Sequence, residues 1–196
     1  LTIHNMATSM VGKYCTDGVI EHWCPDLVMG TKLASYCLTE PGAGSDAASL
    51  VTRAVREGDD YIVNGTKIFI SGAGDTEVLV VMVRTGDGGP KGISALLIPA
   101  DAAGISYGKK EDKMGWNAQP TRSITFDQVR VPVANRLGAE GQGFAIAMEG
   151  LDGGRINIAT CSVGTAQQAF EEAPSYVSER KPFDTSSAAH PPTHFN

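Results

Sequence analysis

Tyr36-Cys-Leu-Thr-Glu-Pro-Gly-Ala-Gly-Ser-Asp46 runs from an apolar, strand-forming stretch into a loop of proline and glycine. Tyr36, Cys37 and Leu38 favour an extended backbone. Pro41 removes a donor and fixes φ, while Gly42 and Gly44 open backbone conformations that other residues avoid. A turn of this kind leaves N–H groups pointing at whatever sits above it, which suits an electron-rich ring or a phosphate. Ser45 and Asp46 add short polar side chains at its rim. Taken alone, the same residues also describe a tight turn between strands.

The flanking sequence indicates what the loop is embedded in. Val51 to Val55 alternates, Glu57-Gly-Asp-Asp60 reads as a turn, and Tyr61-Ile-Val63 as a strand. Asn64-Gly65 predicts a tight hairpin into Thr66-Lys-Ile-Phe-Ile70. Val78 to Arg84 is apolar throughout, as in a strand buried on both faces, and Gly86-Asp-Gly-Gly-Pro90 closes it. Ile93 to Ile98, Ser123 to Phe126 and Val129 to Val133 complete an antiparallel set, so residues 35–136 read as a small barrel or sandwich. On either side the period changes. Ile3, Met6, Met10 and Tyr14 mark one short helix; Val19, Ile20, Trp23 and Leu27 mark a second, with Gly30 as its stop. Residues 1–34 read as the remnant of a helical region, and helix is expected again over 137–183, where Pro174 predicts a kink or an end near Ala173. Residues 184–196 are polar and proline-rich and are expected to be disordered. The fold class is α+β.

Composition narrows the function classes. The chain has 196 residues, 42% hydrophobic and 19% charged, which is ordinary for a globular protein. A net charge of −6 without a long basic run argues against a general nucleic-acid surface. No apolar run approaches the roughly 20 residues that span a bilayer. Cys15, Cys24, Cys37 and Cys161 form no Cys-x-x-Cys pair and read as reduced, mostly buried thiols. His4, His22, His190 and His194 lack metal-ligand spacing, and Pro191-Pro192 keep the last two off a shared helical face, so no metal site is expected.

Tyr36–Asp46 is followed by Asn64-Gly-Thr-Lys-Ile-Phe-Ile-Ser-Gly72, Asp112-Lys-Met-Gly-Trp-Asn-Ala-Gln-Pro-Thr-Arg122, Val131-Pro-Val-Ala-Asn135, Gly138-Ala-Glu-Gly-Gln-Gly-Phe144 and Leu151-Asp-Gly-Gly-Arg155. In this order and approximate spacing, the blocks resemble the acyl-CoA dehydrogenase family over nearly the whole chain. The resemblance implies that family's middle β-domain flanked by incomplete helical domains. It also implies FAD as cofactor, a short branched-chain acyl-CoA such as isobutyryl-CoA as substrate, and electron-transfer flavoprotein as the electron acceptor. The setting would be valine breakdown in the mitochondrial matrix, by a homotetramer. Acyl-CoA oxidases share the fold and pass electrons to oxygen instead.

The family's reaction removes an α-proton with a carboxylate while the β-hydrogen leaves as hydride to the flavin. By resemblance, the backbone of Tyr36, Cys37, Leu38, Thr39, Glu40, Pro41, Gly42, Ala43, Gly44 and Ser45 and the Thr39 side chain lie along the flavin ring. Phe69 packs on the ring, Ser71 bonds its reactive edge, Ile70 lies between them, and Arg180 reaches FAD across a subunit interface. In a regular strand Phe69 and Ser71 share a face. Ser45 is placed near the thioester arm, and Asp152, Gly153, Gly154 and Arg155 along the acyl-CoA. Read without the family, Phe69 is barrel core, Ser71 caps a turn, and Asp152–Arg155 is a helix break.

The base has no counterpart. Most family members take a Glu from later in the sequence, and a minority place it at the position of Gly154, which has no side chain. Glu40 reads as structural, and Glu149 as solvated at a helix end. Past Glu179-Arg-Lys181, Pro182 and Pro191-Pro192 depart from the family's next helix. The chain is therefore expected to be a fragment or truncated form with little or no turnover. The alternatives are a non-catalytic acyl-CoA-binding or subunit-associating isoform, or an unrelated β-barrel binding module.

Overall fold

Residues 2–189 are described by a computed structural model. They divide into two compact units, residues 1–154 and 155–196. The order is α1 (Thr2–Tyr14), α2 (Asp17–Met29), β1 (Ala34–Cys37), β2 (Arg53–Glu57), β3 (Asp60–Ser71), β4 (Val78–Arg84), β5 (Ile93–Pro99), β6 (Ile105–Tyr107), β7 (Thr121–Pro132), β8 (Arg136–Leu137) and α3 (Gly143–Glu179).

The apolar run of β4 explains the layering. Its even-numbered residues Val78, Val80 and Met82 join one core cluster with Met6, Met10, Val11, Leu27 and Ile146 of the helices. Its odd-numbered residues Leu79, Val81 and Val83 join a second cluster with Tyr61, Val63, Ile70, Ile124, Phe126 and Val131. Alternation at period two therefore feeds two cores, and both faces of the strand are buried. β5 divides in the same way, with Ala95 and Leu97 toward the helices and Leu96 and Ile98 away from them.

The sheet has the order β6-β7-β3-β2-β4-β5-β8, with β1 on β4, and it does not close. Most pairs are antiparallel, as expected for a barrel or sandwich middle domain. Two pairs are parallel, β1 with β4 and the single Arg53–Arg84 pair of β2 with β4. They are invisible to local reading, because parallel partners are joined by long connections rather than by a turn.

Several boundaries are corrected. Asn64-Gly65 is not a hairpin turn: β3 continues through it for 12 residues. Its partner β7 carries the irregularity, with Gln128 at φ 53°, and the Asn64 side-chain oxygen accepts Gln128 N–H and Nε2–H, both at 2.9 Å. Gly65 is needed for close approach, since a Cβ there would lie 2.7 Å from Thr52 Cα. β7 is likewise one strand rather than two. The turn at Gly58-Asp59 forms as expected, with Glu57 paired to Asp60 and Gly58 at φ 64°.

Among the helices, Gly30 ends α2 in the left-handed conformation at φ 70°. α3 runs unbroken through Gly153-Gly154 and through Pro174, both read from sequence as interruptions. Glycine lowers helix propensity without forbidding helix, and an internal proline costs one backbone bond and a clash with the preceding turn, about 3 kcal/mol, which a long helix can absorb. Gly150 faces Met6 and Met10 of α1, and a Cβ there would overlap Met10 Cε. In residues 155–196, Arg180 N–H donates to Tyr176 O at 2.9 Å, and Ser187 N–H to Arg180 O at 2.7 Å. Within the tail expected to be disordered, Ser187–Ala189 form a 3-10 turn, while His190–Asn196 lie outside the described residues. Of the four cysteines, Cys37 is buried, Cys15 and Cys24 are half-buried, and Cys161 is exposed, contrary to the expectation that most are buried.

Replacing Gly65 with alanine tests the bulge. The new methyl would overlap Thr52 at a backbone φ of 148°, so a loss of at least about 2 kcal/mol in urea unfolding is expected. A variant as stable as the parent would show that Thr52 and β3 do not approach as described.

Candidate functional site

Immediately after β1 the chain turns at Glu40-Pro41-Gly42-Ala43, closed by Glu40 N–H to Ala43 O at 2.9 Å and Ala43 N–H to Glu40 O at 3.1 Å. Pro41, Gly42, Gly44 and Ser45 are exposed. The N–H groups of Gly42, Gly44 and Ser45 have no acceptor among the described residues. Neither do the hydroxyls of Thr39, Ser45 and Ser71 find a partner there. The loop thus presents several unspent donors.

What holds it is a buried ion pair. The Lys67 ammonium, 0% exposed, donates to Glu40 Oε1 at 2.7 Å and to Leu38 O at 3.0 Å. The Glu40 carboxylate also accepts Val51 N–H at 2.7 Å and Thr52 N–H at 3.0 Å. Burial works against the charge on Glu40, but the adjacent Lys67 ammonium and these donors hold the carboxyl below its ordinary range. Burial pushes the Lys67 ammonium down, with Glu40 opposing.

Sequence reasoning missed Lys67, although alternation from Tyr61 and Val63 places it on the core face; unbroken, the same alternation would bury Phe69 and Ser71 as well. In the structure, Lys67 pairs with Ile124, Ile70 with Arg122 and Ser71 with Thr121, so two residues of β3, Ile68 and Phe69, oppose one of β7. This bulge comes after Lys67, which is already on the buried face, and brings Ile70 to that face in place of Phe69. Phe69 is left at φ 57° and 61% exposed. A large aromatic held in the left-handed region and turned to solvent is costly, by about 1–3 kcal/mol for the backbone alone, and such outliers gather at functional sites. Ile68 N–H donates to Thr39 O at 2.9 Å, which sets Phe69 beside the loop. Ser35 Oγ donates to Ser71 O at 2.8 Å and so ties down the end of β3.

The other predicted residues fall into two groups. Cys37 and Ile70 have their side chains in the second core cluster, and burial pushes the Cys37 thiol up to about 12, so only their backbone is available to a ligand. Tyr36 and Leu38 are buried in the helix-side cluster, where the Tyr36 hydroxyl donates to Ala147 O at 3.4 Å. Asp152, Gly153, Gly154 and Arg155 lie on α3, with Gly153 facing open space. Arg180 belongs to the unit of residues 155–196. Glu149, read from sequence as a solvated helix end, is six residues inside α3. It accepts from both Lys13 and Tyr14, and those bonds lower its carboxyl. A cavity of about 540 Å³ begins at Gly72, next to Ser71, and is lined further by His4, Thr76, Trp116 and Gln119.

The residues present suit a flavin. A flat ring needs an apolar face to stack on and donors along its edge. Phe69 offers the first, and the unpartnered amides and hydroxyls of the loop and of Ser71 offer the second. Among the described residues no helix is long and apolar enough to cross a membrane.

Residues 35–129 match the family profile described as acyl-CoA dehydrogenase, middle domain, and residues 141–196 the one described as acyl-CoA dehydrogenase, C-terminal domain. The chain is 56% identical over 185 residues to the mitochondrial isobutyryl-CoA dehydrogenase of Dictyostelium discoideum, covering 94% of this chain and 44% of that protein. Identity to the mitochondrial isobutyryl-CoA dehydrogenase of Bos taurus is 52% over 183 residues, covering 93% and 44%. The butyryl-CoA dehydrogenase structure of Megasphaera elsdenii superposes with a TM-score of 0.93 at 37% identity, covering 98% of this chain and 51% of that one. The chain therefore spans about half the length or less of these relatives.

Glu40→Gln tests the anchor through its pH dependence. Removing one partner of a buried pair is expected to cost about 3–5 kcal/mol at neutral pH. The folded-state value of Glu40 is depressed, so its contribution is full above the ordinary value of 4.5 and fades as pH falls through the lower folded value. The stability gap between parent and variant in urea should therefore close in acid. A gap of constant size would show that the Glu40 charge is not what stabilises the loop.

Proposed function

The chain belongs to the acyl-CoA dehydrogenase family, and on that premise we propose that it carries the flavin-facing and part of the acyl-CoA-facing surface of a dehydrogenase for short branched-chain acyl-CoA thioesters such as isobutyryl-CoA. The observation that carries the reading is Phe69, exposed and strained beside a loop of unpaired donors. The high identity to two isobutyryl-CoA dehydrogenases supports the choice of substrate.

In this reading FAD is the cofactor, and when bound it accepts the β-hydrogen of the substrate as hydride. The chain's own residues hold and orient. Phe69 supplies a stacking face for the ring, Ser71 a hydroxyl at its edge, and Thr39 with the amides of Gly42, Gly44 and Ser45 the donors along the loop. Ser45 also faces the thioester arm. Asp152, Gly153, Gly154 and Arg155 border the acyl-CoA, where Gly153 leaves the α3 surface open. Arg180 meets FAD across a subunit interface of the assembled tetramer. Electrons pass on to electron-transfer flavoprotein, and the mitochondrial relatives support a place in the matrix, in valine breakdown.

Proton abstraction needs a carboxylate free to accept. Glu40 is spent on Lys67, and Glu149 is held by Lys13 and Tyr14. Both are lowered, which makes them weak bases. The 196-residue polypeptide is therefore expected to bind without turning over, which also favours a second reading, a non-catalytic acyl-CoA-binding or subunit-associating form.

The test is an FAD titration of this polypeptide followed by visible absorbance and flavin fluorescence, then addition of isobutyryl-CoA. Bound flavin that does not bleach is the expected result, with Phe69→Ala weakening FAD by about tenfold, or 1.4 kcal/mol. Bleaching would contradict the expectation that the polypeptide does not turn over, and lack of any flavin binding would overturn the reading.

A further inference from the structure

The flavin reading of the preceding section leaves a question of placement, because the loop and the aromatic strand are separate segments of chain. Thr39–Ser45 follows β1, whereas Phe69 and Ser71 sit at the end of β3, and β1 and β3 are not neighbours in the sheet. Four contacts join them. Lys67 Nζ reaches Leu38 O and Glu40 Oε1, Ile68 N–H reaches Thr39 O, and Ser35 Oγ reaches Ser71 O. The first two come from one buried ammonium that lies two residues before Phe69. Its partner carboxylate lies one residue after Thr39 and also gathers the amides of Val51 and Thr52 beyond the loop.

We propose that the Lys67–Glu40 pair is a positioning device for the flavin, setting the distance and orientation of the Thr39–Ser45 donors relative to Phe69 and Ser71. Two features separate this role from ordinary core packing. A buried ion pair is a poor way to gain stability, since an apolar pair of similar volume is often equally stable. It does fix geometry, because both charges lose energy steeply once the pair separates in a dry interior. Moreover, Lys67 and Phe69 would share a face in a regular strand, and the bulge between them keeps Lys67 inward while Phe69 turns outward, so one short segment of β3 both docks the loop and presents the aromatic. Neither residue is a catalytic residue: each acts through the backbone it holds.

The double variant Glu40→Gln/Lys67→Met removes both charges without stranding either. Amide hydrogen exchange on the flavin-free polypeptide supplies a readout independent of activity. Ala43 and Ile68 N–H are expected to exchange at least about tenfold faster, while Val80–Val83 in β4 change by less than about twofold. In parallel, FAD affinity is expected to fall by about tenfold or more, with the parent polypeptide as reference. Unchanged exchange at Ala43 and Ile68 overturns the proposal, and so does equal acceleration in β4, which would mean a merely structural role. Faster local exchange with undiminished FAD affinity overturns its flavin half. If the parent itself takes up no FAD, the exchange data still decide whether the pair anchors the loop, and it is the flavin reading of the preceding section that fails. The single variant Lys67→Met, with Glu40 left buried and unpaired, is expected to unfold at lower urea than the double variant.

Discussion

A lysine with no solvent exposure is the constraint around which the candidate site is arranged. Lys67 must be neutralised where it sits, and Glu40 does so at 2.7 Å. Once the carboxylate is there, its remaining lone pairs need donors, which the chain supplies from Val51 and Thr52. A second ammonium proton goes to Leu38 O, just past the end of β1. One charge thus draws together the end of β1, the loop after it, the approach to β2 and the middle of β3. No single hydrogen bond in the region spans as much.

Around that pair the fold relies on close backbone approaches and paired irregularities. Gly65 allows β3 to press on Thr52, Gly143 allows the start of α3 to press on Ser94 of β5, and Gly150 allows α3 to cross α1. Two bulges do opposite things. On β7, Gln128 absorbs an extra residue and Asn64 bonds both of its nitrogens, which only bends the ladder. On β3, the bulge at Ile68–Phe69 reverses which residues face the core. The first is a matter of sheet geometry, whereas the second decides what is offered to a ligand.

Much of this was legible in the residues, and the failures have physical causes. The apolar run of β4, the Gly58 turn, the Gly30 stop and the two N-terminal helices follow from local periodicity and turn chemistry, so they could be read. The loop at Glu40–Ala43 could also be read, because proline and glycine announce it. The parallel β1–β4 pairing could not, since nothing local distinguishes a strand's neighbours. Asn64-Gly65 misled because the dipeptide that makes the tightest hairpins also serves where glycine must let another backbone approach. Lys67 could have been found, since the two-residue period from Tyr61 and Val63 points it inward; what leaves no mark in the residues is the bulge after it, which turns Phe69 out. A lysine followed by Ile68, Phe69 and Ile70 was the available hint, since a charge in so apolar a run needs a partner. Glu40, which stands beside proline in a motif rich in small residues, was the nearby candidate.

A double-mutant cycle on Glu40 and Lys67 in urea unfolding tests most directly whether this pair organises the site. Parent, Glu40→Gln, Lys67→Met and the double variant suffice. If each single change strands a buried charge and the double change does not, the coupling energy should reach at least about 2–3 kcal/mol. Additive single effects, with coupling below about 0.5 kcal/mol, would mean that the two charges do not depend on one another, and that the loop and the Phe69 strand are held by the surrounding core instead.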